Sequence, residues 1–293
     1  MTDSPNTSVL AVDGGGTRCR FALQTAQGRV VAEAGPANVS TDFDGAVRRL
    51  QDGIAALAGL ADTSVETLYD LPAFVGLAGA TGPAEVQRLK SKLPLQNVCY
   101  ADDRRAALRG ALGQGDGFVA HCGTGSFFAA QTGGKERFGG GWGATLGDEA
   151  SAQWVGRKAL TQYLREVDGF APASALVGDL KARFQSAERV AEFARSARPA
   201  DFGTIAPHVT VNAKSGDAVA LAILQAGADH IAFDLRQMGW TPGLTICLTG
   251  GIGPHYAPYM PDDMKPDLAE PLGQPLDGAI ALAREMEMTH GHC

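Results

Sequence analysis

The sequence lacks the patterns that identify membrane proteins, dithiol redox proteins and the commonest nucleotide-binding loops. No stretch approaches the ~18 consecutive apolar residues of a membrane helix. The 5 cysteines are far apart and none forms a CxxC pair, so neither a zinc motif nor a redox motif is predicted. There is no GxxxxGK(S/T) segment and no GxGxxG segment. Any phosphate-binding loop in this chain must therefore differ from a P-loop and from a dinucleotide-binding fingerprint.

Positive charge is also scarce. The chain has 25 Lys and Arg residues against 32 Asp and Glu residues, a formal net charge of −7, so a broad nucleic-acid footprint is not predicted. Residues 1–8 are too polar and too few for a signal peptide. With 45% hydrophobic and 19% charged residues, the composition is typical of a globular protein. We expect a cytoplasmic protein that has neither nucleic acid nor a membrane as its partner.

Glycine, by contrast, is abundant. The chain has 38 glycines among 293 residues, about twice the usual share of ~7%. Many are clustered, as Gly14, Gly15 and Gly16, as Gly123 and Gly125 on either side of Thr124, and as Gly250 and Gly251. Because glycine has no Cβ and tolerates positive φ, such clusters are typical of turns whose backbone approaches a ligand.

The first two glycine turns belong to an internal repeat. An apolar strand at residues 8–13, a glycine turn and two further strands are followed by alternating helices and strands, in the order βββαβαβα. From Gly117 the succession of strand, glycine turn and strand begins again. At an offset of 109 residues, Gly14, Gly16 and Thr17 align with Gly123, Gly125 and Ser126. A duplicated domain is expected to show such self-similarity, and a chance resemblance of two hairpins is the alternative.

The second copy carries an extension. Apolar spacing predicts helices there, the first at residues 149–167 and the last at residues 217–238. A strand then leads to the third glycine turn, and a final helix is predicted at residues 277–286. We therefore predict two domains, residues 1–115 and residues 116–293, with a helical insert in the second and the final helix packed back on the first.

Two kinds of group suit phosphoryl transfer, which needs donors and a metal on the phosphates and a carboxylate near the attacking hydroxyl. Asp13 ends the first strand directly before the glycine turn and can hold Mg²⁺, directly or through water. Its counterpart in the second copy is Cys122, so only the first copy has a carboxylate at this place. Thr17, Thr124 and Ser126 can add hydroxyl donors to the turns.

A set of ordered motifs gives the chain a specific resemblance. They are DGGGTRCR at residues 13–20, Asn38, GLAGA at 76–80, Asp103 before AAL at 106–108, GTGS at 123–126, GGWG at 140–143, LGDEAS at 146–151 and TGG at 249–251. Over nearly its whole length the chain resembles the N-acetylglucosamine kinase and BadF/BadG/BcrA/BcrD ATPase family of actin-like ATPases, and its length is close to that of bacterial glucosamine kinases. The resemblance implies duplicated ribonuclease H-like domains of the α/β class, each a mixed five-stranded sheet flanked by helices.

The same resemblance implies roles for individual residues. The positions that match the family's nucleotide-binding residues are Asp13, Gly15, Gly16, Thr17, Gly123, Thr124, Gly125, Ser126, Gly250 and Gly251. The positions that match its acceptor-binding residues are Asn38, Asp103, Gly141, Trp142, Gly143 and Asp148. Asp103 matches the general base and Asp13 the metal-holding residue, and the implied cofactors are ATP and Mg²⁺.

Three of these assignments have alternatives. Asp102 lies beside Asp103, where the family usually has Asn or Thr, so Asp102 is a second candidate base. Asp148 and Glu149 can instead be ordinary acidic residues in the first turn of a helix. Trp142 can instead be an aromatic residue of the core.

The resemblance favours a kinase that transfers the γ-phosphate of Mg-ATP to the 6-hydroxyl group of glucosamine or N-acetylglucosamine, with a homodimer as the candidate assembly. The alternative is a BadF-type ATPase that activates a partner reductase. That activity uses an iron–sulfur cluster held by closely placed cysteines, and no two cysteines of this sequence are close together. The sequence leaves the choice between the two amino sugars open, because one acetyl group is discriminated by pocket shape.

Overall fold

The chain forms two compact units. This computed structural model describes residues 8–80 and 82–288. One unit is Met1–Gln114 together with Pro271–Cys293, and the other is Gly115–Glu270. The domain boundary between residues 115 and 116 stays a prediction, while the final helix is grouped with the first unit.

A mixed sheet lies at the centre of the first unit. Its strands are β1 (Val9–Gly14), β2 (Cys19–Thr25), β3 (Gly28–Ala34), β4 (Ala73–Leu77) and β5 (Val98–Ala101). They lie in the order β3-β2-β1-β4-β5, with β1 antiparallel to β2 and parallel to β4. Every residue of β1 is buried, as expected for a central strand that is covered on both faces.

Helices cover both faces of this sheet. They are α1 (Phe43–Leu60), α2 (Val65–Tyr69), α3 (Pro83–Lys90), α4 (Asp103–Leu112) and, near the end of the chain, α11 (Pro275–Met288). Leu10 and Val12 of β1 share a buried cluster with residues of α1, whereas Val9 and Ala11 share one with residues of α11. This division follows from the two-residue period of a strand, which points successive side chains to opposite faces.

Two glycines bring α4 and α11 into close contact. Gly110 of α4 lies against Gly278 of α11, and a methyl group added at Gly278 would overlap the carbonyl oxygen of Ala106. Arg109 forms an ion pair with Glu285 between the same two helices. Glycine is therefore required where the two helices cross, because any side chain would force them apart.

The second unit repeats the topology of the first. Its strands are β6 (Gly117–Cys122), β7 (Ser126–Thr132), β8 (Lys135–Gly140) and β9 (Thr245–Thr249), in the order β8-β7-β6-β9. Like β1, the strand β6 pairs antiparallel with the strand after its glycine turn and parallel with a later strand. The predicted α/β class and the duplication of a mixed sheet are confirmed.

The second sheet has one strand fewer than predicted. Within residues 8–80 and 82–288 it contains four strands instead of five. Where a fifth strand would pair with β9, a single parallel bridge joins Ile246 and Leu268. Pro266 and Pro271 lie on either side of that bridge, and proline has no N–H to donate to a neighbouring strand. The pairing therefore stops after one bridge.

A group of helices is inserted between β8 and β9. They are α5 (Ala152–Val167), α6 (Ala175–Phe184), α7 (Ala187–Ser196), α8 (Pro199–Gly203), α9 (Ala206–Lys214) and α10 (Ala218–Gln237). Side chains of Ser151, Ser174, Ser186 and Asp217 accept N–H groups in the first turns of α5, α6, α7 and α10. Such N-caps explain where these helices begin.

The first inserted helix begins later than predicted. It starts at Ala152 and not at Glu149, because Asp148 and Ala150 have φ of 61° and 62°. Left-handed residues cannot continue a right-handed helix. The segment in front of α5 is therefore a turn with a backbone of its own.

The helix α10 is long and apolar enough, by length and composition alone, to cross a membrane, and 44% of its most apolar 18-residue stretch is buried inside the protein. The core helices of soluble proteins can have the same length and composition. Ile223, Leu224, Ile231 and Leu235 of α10 all lie in the buried core of the second unit.

Candidate active site

The first glycine turn joins β1 to β2 and has Asp13 at its start. Asp13 lies opposite Arg20 in the register of the two strands, and Arg20 donates to Asp13 Oδ2 from Nε at 3.1 Å and from Nη2 at 2.6 Å. The two side chains are mostly buried, whereas Gly16 and Thr17 are exposed at the tip of the turn. Sequence reasoning missed Arg20, although an arginine across a hairpin from a buried aspartate is a recognisable signal of such a pair.

We expect Arg20→Gln to lower the free energy of unfolding by about 1.5 to 3 kcal/mol, because it leaves the Asp13 carboxylate without its charged donor. Arg29→Gln is the matched control. The ion pair of Arg29 and Asp277 has both side chains 38% exposed, and exposed pairs contribute about 0 to 1 kcal/mol. Urea denaturation of both variants measures the difference, and equal shifts would show that Asp13 does not depend on Arg20.

Asp103 lies beside the same turn. It is the first residue of α4, and Asp102 is the N-cap. Asp103 Oδ2 is 4.0 Å from the position that a Cβ on Gly15 would occupy, so the carboxylate lies close to the backbone of the turn. Burial, followed by the negative charges of Asp102 and Asp13, raises the pKa of Asp103 to about 7. A carboxylate that titrates near neutrality suits proton transfer at physiological pH.

Asp102, the second candidate base, is engaged in capping. Its Oδ1 accepts the backbone N–H of Arg104 at 3.0 Å and Arg104 Nε at 2.5 Å. These bonds satisfy an N–H group in the first turn of α4 and bring the positively charged guanidinium of Arg104 against the Asp102 carboxylate. The geometry therefore favours Asp103 over Asp102 as the proton acceptor.

Asn38 lies at the edge of the sheet where β1 and β4 end. It forms a parallel bridge with Ala78, and the N–H of Ala37 donates to the carbonyl oxygen of Gly15 at 3.2 Å. Asn38 Oδ1 accepts the N–H and the hydroxyl of Ser40 at 3.0 and 2.7 Å. The first unit therefore brings Asn38 close to the first glycine turn. The side-chain oxygen of Asn38 is already hydrogen-bonded to Ser40.

In the second unit, the second glycine turn packs on the start of α5. The N–H of Gly123 donates to the carbonyl oxygen of Gly125 at 2.9 Å. The carbonyl oxygens of Gly123 and Thr124 accept the N–H groups of Ala152 and Gln153 at 2.8 and 3.5 Å. These two carbonyl oxygens of the turn therefore accept hydrogen bonds from the protein itself.

The third glycine turn packs directly on the second. Gly250 has φ of 82°, and a methyl group there would overlap the carbonyl oxygen of Cys122. The N–H of Ile252 donates to that same carbonyl at 3.1 Å. Gly251, by contrast, has open space where a Cβ would be. Gly250 therefore serves packing, while Gly251 leaves room for a neighbour.

Residues 148–150 form a strained segment that three hydroxyl groups stabilise. Asp148 and Ala150 have φ of 61° and 62°, a region that non-glycine residues rarely adopt. The hydroxyls donate to three successive carbonyl oxygens: Ser151 to that of Asp148 at 2.6 Å, Ser126 to that of Glu149 at 2.6 Å, and Tyr256 to that of Ala150 at 2.7 Å. We call Ser126, Ser151 and Tyr256 the hydroxyl clamp. Sequence reasoning missed Ser151 and Tyr256.

Ser126, a predicted nucleotide-binding residue, uses its hydroxyl within the protein. The sequence predicts a hydroxyl that donates to a ligand, but this hydroxyl donates to Glu149 and the N–H of Ser126 donates to the Asp148 carboxylate. Ser126 is also buried. It therefore connects the second glycine turn to the 148–150 segment.

The Asp148 carboxylate lies against the second glycine turn. It accepts the N–H groups of Ser126 and Gly143, and a Cβ on Gly125 would lie 2.8 Å from Asp148 Oδ2. Burial is the largest cause that raises the pKa of Asp148. Because Asp148 precedes α5 and is buried, it is not an ordinary acidic residue of a first helical turn.

Trp142 is not part of the core. Its side chain is 79% exposed, and its neighbours Gly141 and Gly143 have φ of 75° and 86°. The core alternative is therefore excluded. An exposed indole between glycines can cover the apolar face of a ligand.

A pocket of about 200 Å³ lies on the 3₁₀ helix Gly253–Tyr259, which follows the third glycine turn. Its lining includes Thr210, Lys214, Leu224, Pro254, His255 and Tyr259. Burial and then the positive charge of Lys214 lower the pKa of His255, so the imidazole is neutral at physiological pH. Sequence reasoning missed this pocket because its walls come from the helical insert and from a segment after β9.

Comparisons with known sequences agree with these motifs. The profile of the BadF/BadG/BcrA/BcrD ATPase family matches residues 10–260. The chain is 26% identical over 283 residues to the glucosamine kinase GspK of Vibrio cholerae, with 95% of this chain and 96% of that protein covered. It is 27% identical over 180 residues to an N-acetylmuramic acid/N-acetylglucosamine kinase of Clostridium acetobutylicum, with 59% and 58% covered.

Solved structures show the same architecture. A candidate N-acetylglucosamine kinase from Chromobacterium violaceum is similar with a TM-score of 0.83 and 26% identity, over 95% of this chain and 99% of that chain. A ROK family glucokinase from Streptomyces griseus, at 17% identity and a TM-score of 0.61, shares the fold over 95% and 99% of the two chains. The family match spans residues 10–260 of 293, and the chain therefore belongs to the BadF/BadG/BcrA/BcrD ATPase family.

Proposed function

We propose that this chain is an ATP-dependent amino-sugar kinase, which transfers the γ-phosphate of Mg-ATP to the 6-hydroxyl group of glucosamine or N-acetylglucosamine. The observation that carries the proposal is the Asp103 carboxylate, which lies beside the first glycine turn with its pKa raised to about 7. Family membership and the names of the two relatives support the kinase class.

Asp103 is the general base of the proposed reaction. Its carboxylate accepts the proton of the 6-hydroxyl while the sugar oxygen bonds to the γ-phosphorus. The bond from that phosphorus to the β,γ-bridging oxygen breaks, and ADP leaves with its electron pair. With a pKa of about 7, a large fraction of Asp103 is ionised at neutral pH and can accept this proton.

Asp13 is the residue that would hold Mg²⁺. Arg20 donates to Oδ2 of Asp13, so Oδ1 can face the ion or one of its waters. No group of three or more His, Cys, Asp or Glu residues within residues 8–80 and 82–288 could hold a metal. A single carboxylate still fits Mg²⁺, which takes few protein oxygens and keeps several waters. The bound ion would neutralise charge on the phosphates.

In each unit, the glycine turns carry the residues that we propose to bind nucleotide. Gly15, Gly16 and Thr17 belong to the turn of the first unit, and the second unit provides Gly123, Thr124, Gly125, Gly250 and Gly251. The pocket beside Lys214 and His255 would take the base. It is smaller than the ~300 to 1,000 Å³ pockets of drug-sized ligands, which suits one heterocycle better than a whole nucleotide.

Each unit also has side chains that we propose to bind the sugar. In the first unit, Asn38 can donate its amide N–H to a hydroxyl, and in the second unit Asp148 can accept one. Trp142, between Gly141 and Gly143, can cover the apolar face of the pyranose ring. Few polar groups around an apolar contact are typical of small-molecule sites.

The test of this function is ADP release with Mg-ATP and glucosamine, N-acetylglucosamine, glucose or no sugar, with Asp103→Asn as the inactive control. The kinase predicts turnover that depends on an amino sugar and is lost in the variant. Turnover that is equal with and without sugar would instead support the ATPase that activates a partner reductase. The cytoplasmic location and the homodimer stay predictions from the sequence.

A further inference from the structure

The hydroxyl clamp joins the 148–150 segment to two elements that are predicted to bind nucleotide. Ser126 begins β7 directly after the second glycine turn. Tyr256 lies in the 3₁₀ helix that begins two residues after Gly251. Ser151 is the local member, because it is the N-cap of α5. The segment that carries Asp148 is therefore attached to the third glycine turn by the Tyr256 hydroxyl, and to the second by the Ser126 hydroxyl in addition to the backbone N–H bonds described above.

Tyr256 is held rigidly. Its side chain is fully buried, and its ring lies so close to Gly227 of α10 that a methyl group there would overlap it. The bond from the N–H of Ile252 to the carbonyl oxygen of Cys122 fixes the start of the same stretch to the second turn. A shift of the turns that carries residues 252–256 along would therefore move the Tyr256 hydroxyl relative to Ala150 or move Ala150 with it.

The 148–150 segment depends on these donors. Ala150 is fully buried, so its carbonyl oxygen cannot turn to solvent when Tyr256 withdraws. Buried carbonyls without a donor are rare in native structures, and left-handed residues persist only where their surroundings fix them. Loss of the Tyr256 hydroxyl would therefore release the backbone two residues from Asp148.

We propose that Tyr256 is a positioning residue that couples the nucleotide turns to the 148–150 segment, so that Mg-nucleotide binding strengthens binding of the sugar. This inference rests on the proposed function. Such coupling is reciprocal, since each ligand changes the affinity of the other by the same factor. Tyr256 acts through Ala150 and Asp148, and its role differs from that of the base Asp103.

The first experiment is calorimetric titration of the amino sugar with and without Mg-AMPPNP, an analogue whose γ-phosphate is not transferred. In the wild type the nucleotide should tighten sugar binding by about 5- to 150-fold. In Tyr256→Phe, which removes only the hydroxyl, this ratio should fall close to one and the sugar KM should rise more than kcat falls. Tyr163→Phe, at another buried tyrosine of the second unit, is the matched control and should keep the wild-type ratio.

If Tyr256 has only a structural role, Tyr256→Phe will lower the stability but leave the ratio of the two sugar affinities unchanged. That outcome would overturn the proposal. If Tyr256→Phe does not fold, Ser126→Ala removes the other turn's hydroxyl and should lower the ratio in the same way. A wild-type ratio preserved in Ser126→Ala would also overturn it.

Hydrogen exchange separates this proposal from the proposed function, because it needs neither sugar nor turnover. Mg-AMPPNP alone should slow exchange of the amides of residues 149–151 in the wild type and should leave their exchange unchanged in Tyr256→Phe. Equal slowing in both proteins, or none in the wild type, would refute the coupling whatever the sugar panel shows. If no sugar of the ADP-release test stimulates turnover, while exchange still differs between the wild type and Tyr256→Phe, the amino-sugar acceptor is refuted and the coupling is not.

Discussion

Asp103→Asn is expected to lower kcat by about 10²- to 10⁴-fold, the range that a positioned general base contributes. The amide has nearly the size of the carboxylate but cannot accept the proton of the attacking hydroxyl. Asn at the first position of α4 also removes a partly buried charge that burial disfavours, so the fold should persist. Initial rates of ADP release with the active amino sugar, at saturating Mg-ATP, measure the loss.

Asp102→Asn is the matched control for this prediction. Asn caps helices about as well as Asp, so α4 keeps its N-cap, and the variant removes the neighbouring negative charge. Its kcat should stay within a few-fold of the wild type. A loss as large as that of Asp103→Asn would move the role of base to Asp102, and equal activity of all three proteins would remove the base mechanism.

The pH dependence gives the same assignment an independent check. The base must be ionised, so kcat/KM should fall as the pH decreases through the raised pKa of Asp103, about 7, and should level off above it. The negative charge of Asp102 is one cause that raises this pKa. Asp102→Asn should therefore move the acidic limb of the profile to lower pH. A limb that does not move would mean that another group controls it.

The fold was predictable because its signals are local. The predicted order βββαβαβα ends in a helix after the last strand, and α4 follows β5 in that place. The repeat of strand and glycine turn predicts two related sheets, and the paired registers of β1 with β2 and of β6 with β7 agree with it. These features depend on residues within one strand or one turn of helix, where propensity and periodicity act.

The strand β8 was not predictable in the same way. Its sequence, KERFGG, has little alternation, and its first half is exposed at the edge of the sheet. An edge strand with few buried side chains gives a weak apolar pattern. The missing fifth strand of this sheet had no local signal either, because Pro266 and Pro271 act on a pairing with the distant Ile246.

The residues that support the candidate site are beyond local reasoning. The Tyr256 hydroxyl donates to a carbonyl 106 residues away in the chain, and Ser126 donates across 23 residues. From their residue types alone, Tyr256 would be expected in the core and Ser126 in a turn. Likewise, the positive φ of Asp148 and Ala150 contradicts the helical pattern of their sequence. Only the packed second unit shows why a short acidic segment departs from helix there.

Gly250→Ala is expected to destabilise the second unit by about 2 to 5 kcal/mol, the sum of a left-handed alanine and an overpacked contact. Gly250 has φ of 82°, and its new methyl group would overlap the carbonyl oxygen of Cys122. That carbonyl also accepts the N–H of Ile252, so relief of the overlap would break a bond between the second and third turns. The shift of the urea midpoint measures the destabilisation.

Gly251→Ala is the matched control in the adjacent position. A Cβ on Gly251 meets nothing within 4 Å, and Gly251 is not among the left-handed glycines, so its stability should change by no more than about 0.5 kcal/mol. If the backbone of this turn approaches the nucleotide, the same variant should bind Mg-AMPPNP more weakly. If Gly250→Ala loses stability and Gly251→Ala loses nucleotide affinity, then the first glycine is required for packing and the second for binding. The same stability loss in both variants would show that the turn is constrained as a whole, because the overlap at Gly250 alone could not then explain it.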